Sequence, residues 1–457
     1  MDLADLLRRP EGKTLEFKRD LSSPDGVLRS IVAFANTAGG VVLVGVDDGA
    51  RHVRGVPEPR DAEERIANLV SDSIAPRLMP DIEILPWRRT HVLAIQVHPS
   101  ASRPHHLRRD GAEAGTYVRV GSTNRRADAE MIQELRRTAR GESFDEQPLL
   151  DLDSEAIDFR VASESFASNR TLRRRDLESR RLVTRHQGHV RPTVGGVLLF
   201  GTDSARAQHF PDAWIQAGRF DGTDKTRITD RAEFRSPIVK AIDDAIAFVE
   251  KHSLRGAEIG RLKRRDRWSI PPVAVREALI NAVAHADYSQ RGAPIRISIF
   301  DDRIEIENPG LLPFGLTIED LPLGVSKLRN RVIGRVFNAL GLIEQWGSGI
   351  QRMLTACREA GLPDPTFEEV ATRFRVTIRL ERVSRPVLDA SDQAILVALS
   401  DGTGKLTSEL AALIGLTPRA TRTRLARLVG NGLLREVGTS PQDPKRRYFL
   451  TRTTTTH

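Results

Sequence analysis

The alternation of apolar and polar positions divides the chain into four stretches. In the first, the continuous apolar run Val41–Val46, preceded by Gly39-Gly40 and followed by Asp47-Asp48-Gly49, predicts a buried strand closed by a turn. A short helix at the start, an apolar segment over Ser30–Ala38, a helix over Glu63–Ile74 and strands at Ile82–Leu85, His91–Val97 and Gly115–Arg119 complete an α+β unit over residues 1–140. Residues 141–268 read as a connecting α/β region. It starts with the polar, turn-rich Gly141–Leu152 and continues with a charged helix at Leu172–Leu182 and a strand ending in Gly195–Gly201. A long amphipathic helix, Ser236–His252, and a basic loop, Arg261–Arg267, follow. Over 269–382, the paired Pro271-Pro272 start a helix, since proline suits a first turn. Strands at Pro294–Phe300 and Arg303–Glu307 flank the turn Asp301-Asp302, and a helix spans Ile350–Ala360. Composition shifts near Glu381–Pro386. Over 388–457 come helices at Asp392–Ser400, Thr407–Ile414 (with Thr407 as N-cap) and Pro418–Val429, then a strand Leu433–Val437, a wing Gly438–Lys445 and a returning strand Arg446–Leu450.

Charge narrows the partners. The net balance is +9, most of the excess is arginine, and guanidinium forks match phosphates. One cysteine, Cys357, excludes an internal disulfide and any cysteine-based zinc site. No stretch nears the ~20 apolar residues of a membrane span, and the first residues lack a secretion layout, so a cytoplasmic protein with no membrane partner is expected. The phosphate-loop pattern GxxxxGK[ST] is absent, so a helicase motor is not expected.

The third stretch carries the most specific chemistry. Glu277, Asn281 and His285 are spaced four apart and share one helix face, while Val275, Leu279, Ala282 and Val283 cover the other. Downstream lie a strand ending in Asn308-Pro309-Gly310 and the box Gly347-Ser348-Gly349 at a helix start. Backbone amides at a glycine-rich helix start can face an anion unobstructed. The stretch REALINAVAHADYS, with IFDDRIEIENPGLLP and SKLRNRVIGRVFNALGLIEQWGSGIQRM, resembles the divergent GHKL ATPase domain of RecG-like transcriptional regulators. That resemblance implies a Bergerat-type α/β sandwich that binds ATP and Mg²⁺. Asn281 would be the magnesium ligand and Glu277 the base for slow ATP hydrolysis. His285, Asn308, Gly310, Arg329, Asn330, Gly347, Ser348 and Gly349 would line the nucleotide. The wider family has an aspartate for adenine where this chain has Asn308, whose side-chain carbonyl can still accept from an adenine N–H.

Near the N-terminus, EGKTLEFK, FANTAGG and GVDD resemble the Schlafen-type AlbA-like domain. As a binding module it would meet phosphates through Lys18, Arg19, Arg29, Arg51, Arg54 and the Arg119–Arg126 region, with Gly39-Gly40 permitting close approach. The alternative is a Schlafen-like nuclease gated by ATP, serving defence or stress. There Glu11, Glu16 and Asp48 (or Asp47) would hold a divalent metal for phosphodiester cleavage.

The last stretch reads as a winged helix, resembling MarR- or ArsR-like folds. Arg419, Thr421 and Arg422 on its recognition helix and Arg446 and Arg447 at the wing would contact nucleic acid, DNA rather than RNA, while Ala420, Leu425 and Leu428 pack inward. A pseudo-palindromic site would be met by two copies, so a homo-oligomer is expected. The expected whole is a multidomain α+β, DNA-binding regulator modulated by ATP.

Overall fold

The structure is a computed structural model; it describes all residues except 50, 168–171, 260–263, 269, 344–346, 381–388, 431–432, 438–445 and 451–457. The wing, the composition change at 381–386 and the start of the basic loop 261–267 therefore lie outside the described residues, as do Asn431 and Gly432. The chain divides into two units, Met1–Arg382 and Val383–His457.

In the larger unit the N-terminal part is a four-stranded sheet. Strand β1 (Leu15–Lys18) pairs in parallel with β2 (Gly40–Val44) through the crossover helix α1 (Pro24–Asn36). Strands β3 (Asp81–Trp87) and β4 (Thr90–Val97) follow helix α2 (Pro59–Ser73), giving the order β1-β2-β4-β3. The apolar run of β2 is continuous because both faces are covered. Val42 and Val44 join the core with Ile31, Phe34 and Ile66, whereas Val41 and Leu43 face Leu3, Leu6 and Phe17. The glycine pair serves this packing: a Cβ on Gly40 would lie 2.7 Å from the carbonyl oxygen of Thr14, and one on Gly39 2.7 Å from that of Val97. The hairpin β5 (Tyr117–Val120) and β6 (Thr123–Arg126) then leads to helix α3 (Ala129–Ala139).

Elements within 141–268, expected as a connecting region, join the main sheet and core. Val194–Phe200, expected as a strand, is helix α4, with the Thr193 hydroxyl capping Gly196 N. A fully buried apolar run does not reveal its period, and every residue of α4 is buried. Gly196 packs where a Cβ would be 2.1 Å from the Leu182 carbonyl oxygen, so the helix sits against neighbouring backbone. Strands β7 (Ile215–Phe220) and β8 (Ile228–Phe234) join β9 (Ile295–Ile299), β10 (Arg303–Pro309), β11 (Thr366–Val370) and β12 (Arg373–Arg379) in one six-stranded sheet. Its order is β8-β7-β9-β10-β12-β11, with only β7 and β9 parallel. Helices α5 (Ile238–Ser253), α6 (Pro272–His285), α7 (Arg331–Ala339) and α8 (Gly349–Glu359) share a single hydrophobic core with α4 and this sheet. Part of the expected basic loop is a hairpin, Leu254–Ile259 with Arg264–Trp268.

In the smaller unit, helix α9 (Ala390–Ala398), strand β13 (Lys405–Leu406), helices α10 (Thr407–Ile414) and α11 (Pro418–Gly430) and strands β14 (Leu434–Val437) and β15 (Arg447–Leu450) form a three-helix layer with a sheet ordered β13-β15-β14. Ile395, Leu399, Leu410, Leu425, Leu428 and Tyr448 make its core. Thr407 is the first helical residue of α10 rather than its cap; Leu406 precedes it, with Leu406 N–H bonded to Glu409 at 2.7 Å.

Candidate nucleotide cavity

A cavity of about 750 Å³ opens between α6, α7, α8 and the loop that follows β10. Helix α6 places Glu277, Asn281 and His285 on its wall, while Leu279 and Val283 are buried in the core behind it, as the four-residue spacing requires. Asn308 enters from the end of β10. Its Nδ2 donates to the Pro309 carbonyl at 3.0 Å, which leaves the side-chain carbonyl as an acceptor. Gly347 and Gly349 also line it, and a Cβ on Gly349 would sit 2.7 Å from Glu277 Oε2 and 3.5 Å from Asn281 Nδ2. The start of α8 therefore lies directly against the two polar residues of α6. Glu277 is 3% exposed and its Oε1 meets Arg352 at 3.1 Å.

Among the described residues, the lining includes the cations Arg180, Lys327, Arg331, Arg335 and Arg352, against Glu277 as its one carboxylate. Reading the motifs had not singled out these cations. Arg331 and Arg335 sit four apart on α7, a spacing that could have marked them as one face. His285 is neutral at pH 7, because burial and then the charge of Arg329 bring its pKa to about 4; its Nδ1 is buried without a hydrogen bond. It contributes no positive charge to the cavity.

Three residues expected at the nucleotide do other work. Arg329 does not line the cavity: its guanidinium is consumed by Glu134 (2.8 Å), the His285 carbonyl (2.6 Å) and the Leu311 carbonyl (2.7 Å). Asn330 is 1% exposed, and its Nδ2 donates to the carbonyls of Ala284 and Ala286, tying α7 to the end of α6. Gly310, at φ +94°, lets Arg329 pass, since a Cβ there would lie 2.5 Å from Arg329 Nη1. Ser348 stands just before α8 and is not among the cavity-lining residues described.

The loop above the cavity also touches the N-terminal part. Leu311, Leu312, Pro313, Leu316, Lys327 and Leu328 line the cavity, and Leu311 also packs, with Phe314, against Val118, Val120, Ile132 and Leu135. Gly315 N–H donates to the Thr37 carbonyl at 3.1 Å, and Leu312 N–H to Glu369, which also pairs with Lys13 at 2.5 Å.

In the N-terminal part, Glu16 is 6% exposed and held by Arg119 at 2.5 Å and by Lys18. Arg119, expected to meet phosphates, is buried with further bonds to the Gly12 and Leu15 carbonyls, so it cannot. Lys18 is occupied by Glu16, and Arg54 by Asp47 at 2.7 Å. Glu11 accepts from Phe17 N–H at 2.6 Å, and burial, with Asp48 beside it, raises its pKa. Although Glu11, Glu16 and Asp48 are neighbours, no group of three or more His, Cys, Asp or Glu among the described residues is arranged to hold a metal. Two cations already neutralise Glu16.

On α11, Arg419 and Arg422 are exposed, but Thr421 is fully buried, donating to the Thr417 carbonyl at 3.0 Å. Thr421, Leu425 and Leu428 follow the four-then-three spacing of one helix face, which puts Thr421 in the core and leaves Ala420, expected inside, exposed. Arg446 bonds Glu436 at 2.7 Å and Arg447 the Gly404 carbonyl at 2.6 Å. No helix among the described residues is long and apolar enough to cross a membrane.

Residues 11–128 match the family described as "Schlafen, AlbA_2", and residues 292–378 match that described as "Putative ATP-dependent DNA helicase recG C-terminal". No curated protein matches. Among solved structures, the DIP2311 protein from Corynebacterium diphtheriae is 19% identical over 96% of this chain and 95% of its own, with a TM-score of 0.47. The N-terminal domain of the "Putative ATP-dependent DNA Helicase RecG-related Protein" from Nitrosomonas europaea is 25% identical over 28% of this chain and 94% of its own, with a TM-score of 0.23. Two domains of this multidomain α+β chain thus fall in known families, a Schlafen AlbA_2 domain at the N-terminal end and an ATPase-like domain of the recG C-terminal type behind it.

Proposed function

We propose that this protein is an ATP-binding, nucleic-acid-binding regulator in which the nucleotide held in the cavity modulates the AlbA_2 domain and a C-terminal winged helix. The observation that carries this reading is the lining of the cavity: Arg180, Lys327, Arg331, Arg335 and Arg352 line it with Glu277 as its one lining carboxylate, while Glu146, outside the lining, pairs with Arg331 and Arg335. Such an excess suits a polyanion of triphosphate type. The donor set fits Mg²⁺ as well, because a magnesium ion carried by phosphates keeps several waters and needs one or two protein oxygens, here the amide of Asn281. The ion would offset phosphate charge. Glu277 would orient and deprotonate water, Asn308 would accept from the adenine amino group, and slow hydrolysis would follow.

Nucleic-acid binding is the role proposed for the outer modules. The exposed Arg419 and Arg422 on α11 suit phosphates and base edges of DNA, and a homo-oligomer would present two such helices. Cleavage by the AlbA_2 domain is the less favoured reading, because Glu16 is already paired with Arg119 and Lys18.

Calorimetric titration with Mg-ATP tests the cavity: wild type should bind, and Asn281→Ala should weaken Mg-dependent binding by about tenfold or more. DNA affinity should differ with and without Mg-ATP, and identical values would refute the modulation. Incubation with tRNA and with single-stranded and duplex DNA in Mg²⁺ or Mn²⁺ should leave the nucleic acid shifted but intact. Cleavage abolished by Glu16→Ala would instead establish the nuclease.

A further inference from the structure

If Glu277 activates water, the phosphorus under attack must lie beside its carboxylate, and whatever holds that carboxylate stands next to the terminal phosphate as well. Arg352 is that group. It sits one turn after Gly349 on α8, lines the cavity, is 32% exposed, and places Nη2 3.1 Å from Glu277 Oε1. Arg276 approaches the same oxygen more distantly, at 3.6 Å. The other oxygen, Oε2, lies against the start of α8, within 2.7 Å of where a Cβ on Gly349 would be. One oxygen of the carboxylate is thus occupied by a guanidinium, and the other is confined by backbone. A carboxylate in that position is poorly placed to take a proton from water.

A terminal phosphate competes for the same fork. It carries more charge than a carboxylate and offers a guanidinium paired oxygens. We propose that Arg352 reads the terminal phosphate of a nucleoside triphosphate: it stays on Glu277 when a diphosphate is bound and passes to the γ-phosphate when a triphosphate is bound, releasing the carboxylate. The assignment rests on the triphosphate reading of the cavity, and it makes Arg352 the residue that distinguishes ATP from ADP. In the step released, a water oxygen bonds to the γ-phosphorus. The bond from that phosphorus to the β–γ bridging oxygen breaks with its electron pair remaining on ADP, and the water proton passes to Glu277. ATP and water become ADP and inorganic phosphate.

The test is titration of the full-length protein with Mg-ATP and Mg-ADP for wild type, Arg352→Gln and Arg352→Lys, with thermal melts to verify folding. Arg352→Gln should lose about tenfold or more in affinity for ATP and change by less than about twofold for ADP, since a hydrogen bond between charged groups is worth that much. Arg352→Lys, which keeps the charge, should retain part of the preference for ATP. An equal loss for both nucleotides, or an unchanged ratio, overturns the proposal while leaving the nucleotide reading intact. Wild-type protein that binds neither nucleotide overturns both. Glu277→Gln should keep the preference for ATP and lose turnover. If it hydrolyses ATP at the wild-type rate, Glu277 is not the base, and its release by Arg352 falls with it.

Discussion

Asp145 illustrates how one buried carboxylate can serve an element far away in sequence. It accepts from Arg331 N–H at 3.0 Å and Ile333 N–H at 2.9 Å, as well as from Ser143 Oγ, and so satisfies the first amides of α7 from outside the helix. Burial raises its pKa from 3.8 to about 6, with those hydrogen bonds working the other way. A carboxyl whose folded pKa is raised contributes stability that is complete below pH 3.8 and is lost as pH rises through about 6. The rise from 3.8 to about 6 corresponds to about 3 kcal/mol. Urea unfolding between pH 4 and pH 7 should therefore show wild type losing about that much relative to Asp145→Asn, whatever the variant's absolute stability. Parallel curves for the two proteins would remove Asp145 as the source. Arg329 teaches the complementary lesson. Its place in the sequence beside a predicted phosphate site is real, yet three acceptors within 2.8 Å consume it.

Among the elements, α11 and α4 mark where pattern reading succeeds and where it fails. The ends of α11 were legible because Pro418 opens it after Gly415, which takes the left-handed conformation at φ +68°. Its face was misjudged by one position: Thr421 is buried and Ala420 is not. The proposed DNA contact then divides these residues. Arg422→Ala should weaken binding across all sequences and lower the salt slope by about 1, whereas Thr421→Val should leave both nearly unchanged. A loss for Thr421→Val as large as that for Arg422→Ala, in a variant with an unchanged melt, would count against this placement of the helix. Helix α4 was unreadable for a different reason. Burial on every side removes the polar positions that would have revealed a period of 3.6 rather than 2.

Across the larger unit, one loop serves as both the roof of the cavity and the seat of the AlbA_2 domain. Leu311, Pro313, Leu316 and Lys327 line the cavity, Leu311 and Phe314 pack with Val118, Ile132 and Leu135, and Arg329 bonds Glu134 on α3. A nucleotide that shifted this loop would load those contacts directly, provided the two arrangements differ in their affinity for it. Phe314→Ala should therefore keep nucleotide affinity within about threefold but reduce the effect of Mg-ATP on nucleic-acid binding, at a stability cost of about 3 kcal/mol or more. Titrating nucleic acid with and without Mg-ATP measures this, and a full nucleotide effect in the variant would exclude the loop as the route.

The sequence alone determined the features that local chemistry imposes: the shared face of Glu277, Asn281 and His285, the strand ending at Asn308, the glycine box before α8, and the AlbA_2 signature between Glu11 and Asp48. Each depends on spacing along one element, where a period of 3.6 or 2 ties residue number to direction. Only the tertiary structure decided which charges remain available. It buried Arg119 against Glu16, consumed Arg329 between Glu134 and two carbonyls, and brought Arg180 and Arg352 to the cavity that Lys327, Arg331 and Arg335 also line. It also drew β7 and β8 into the sheet of the ATPase-like domain. The partner of a basic side chain is set by what packs beside it, and that can lie hundreds of residues away, as Glu369 does from Lys13.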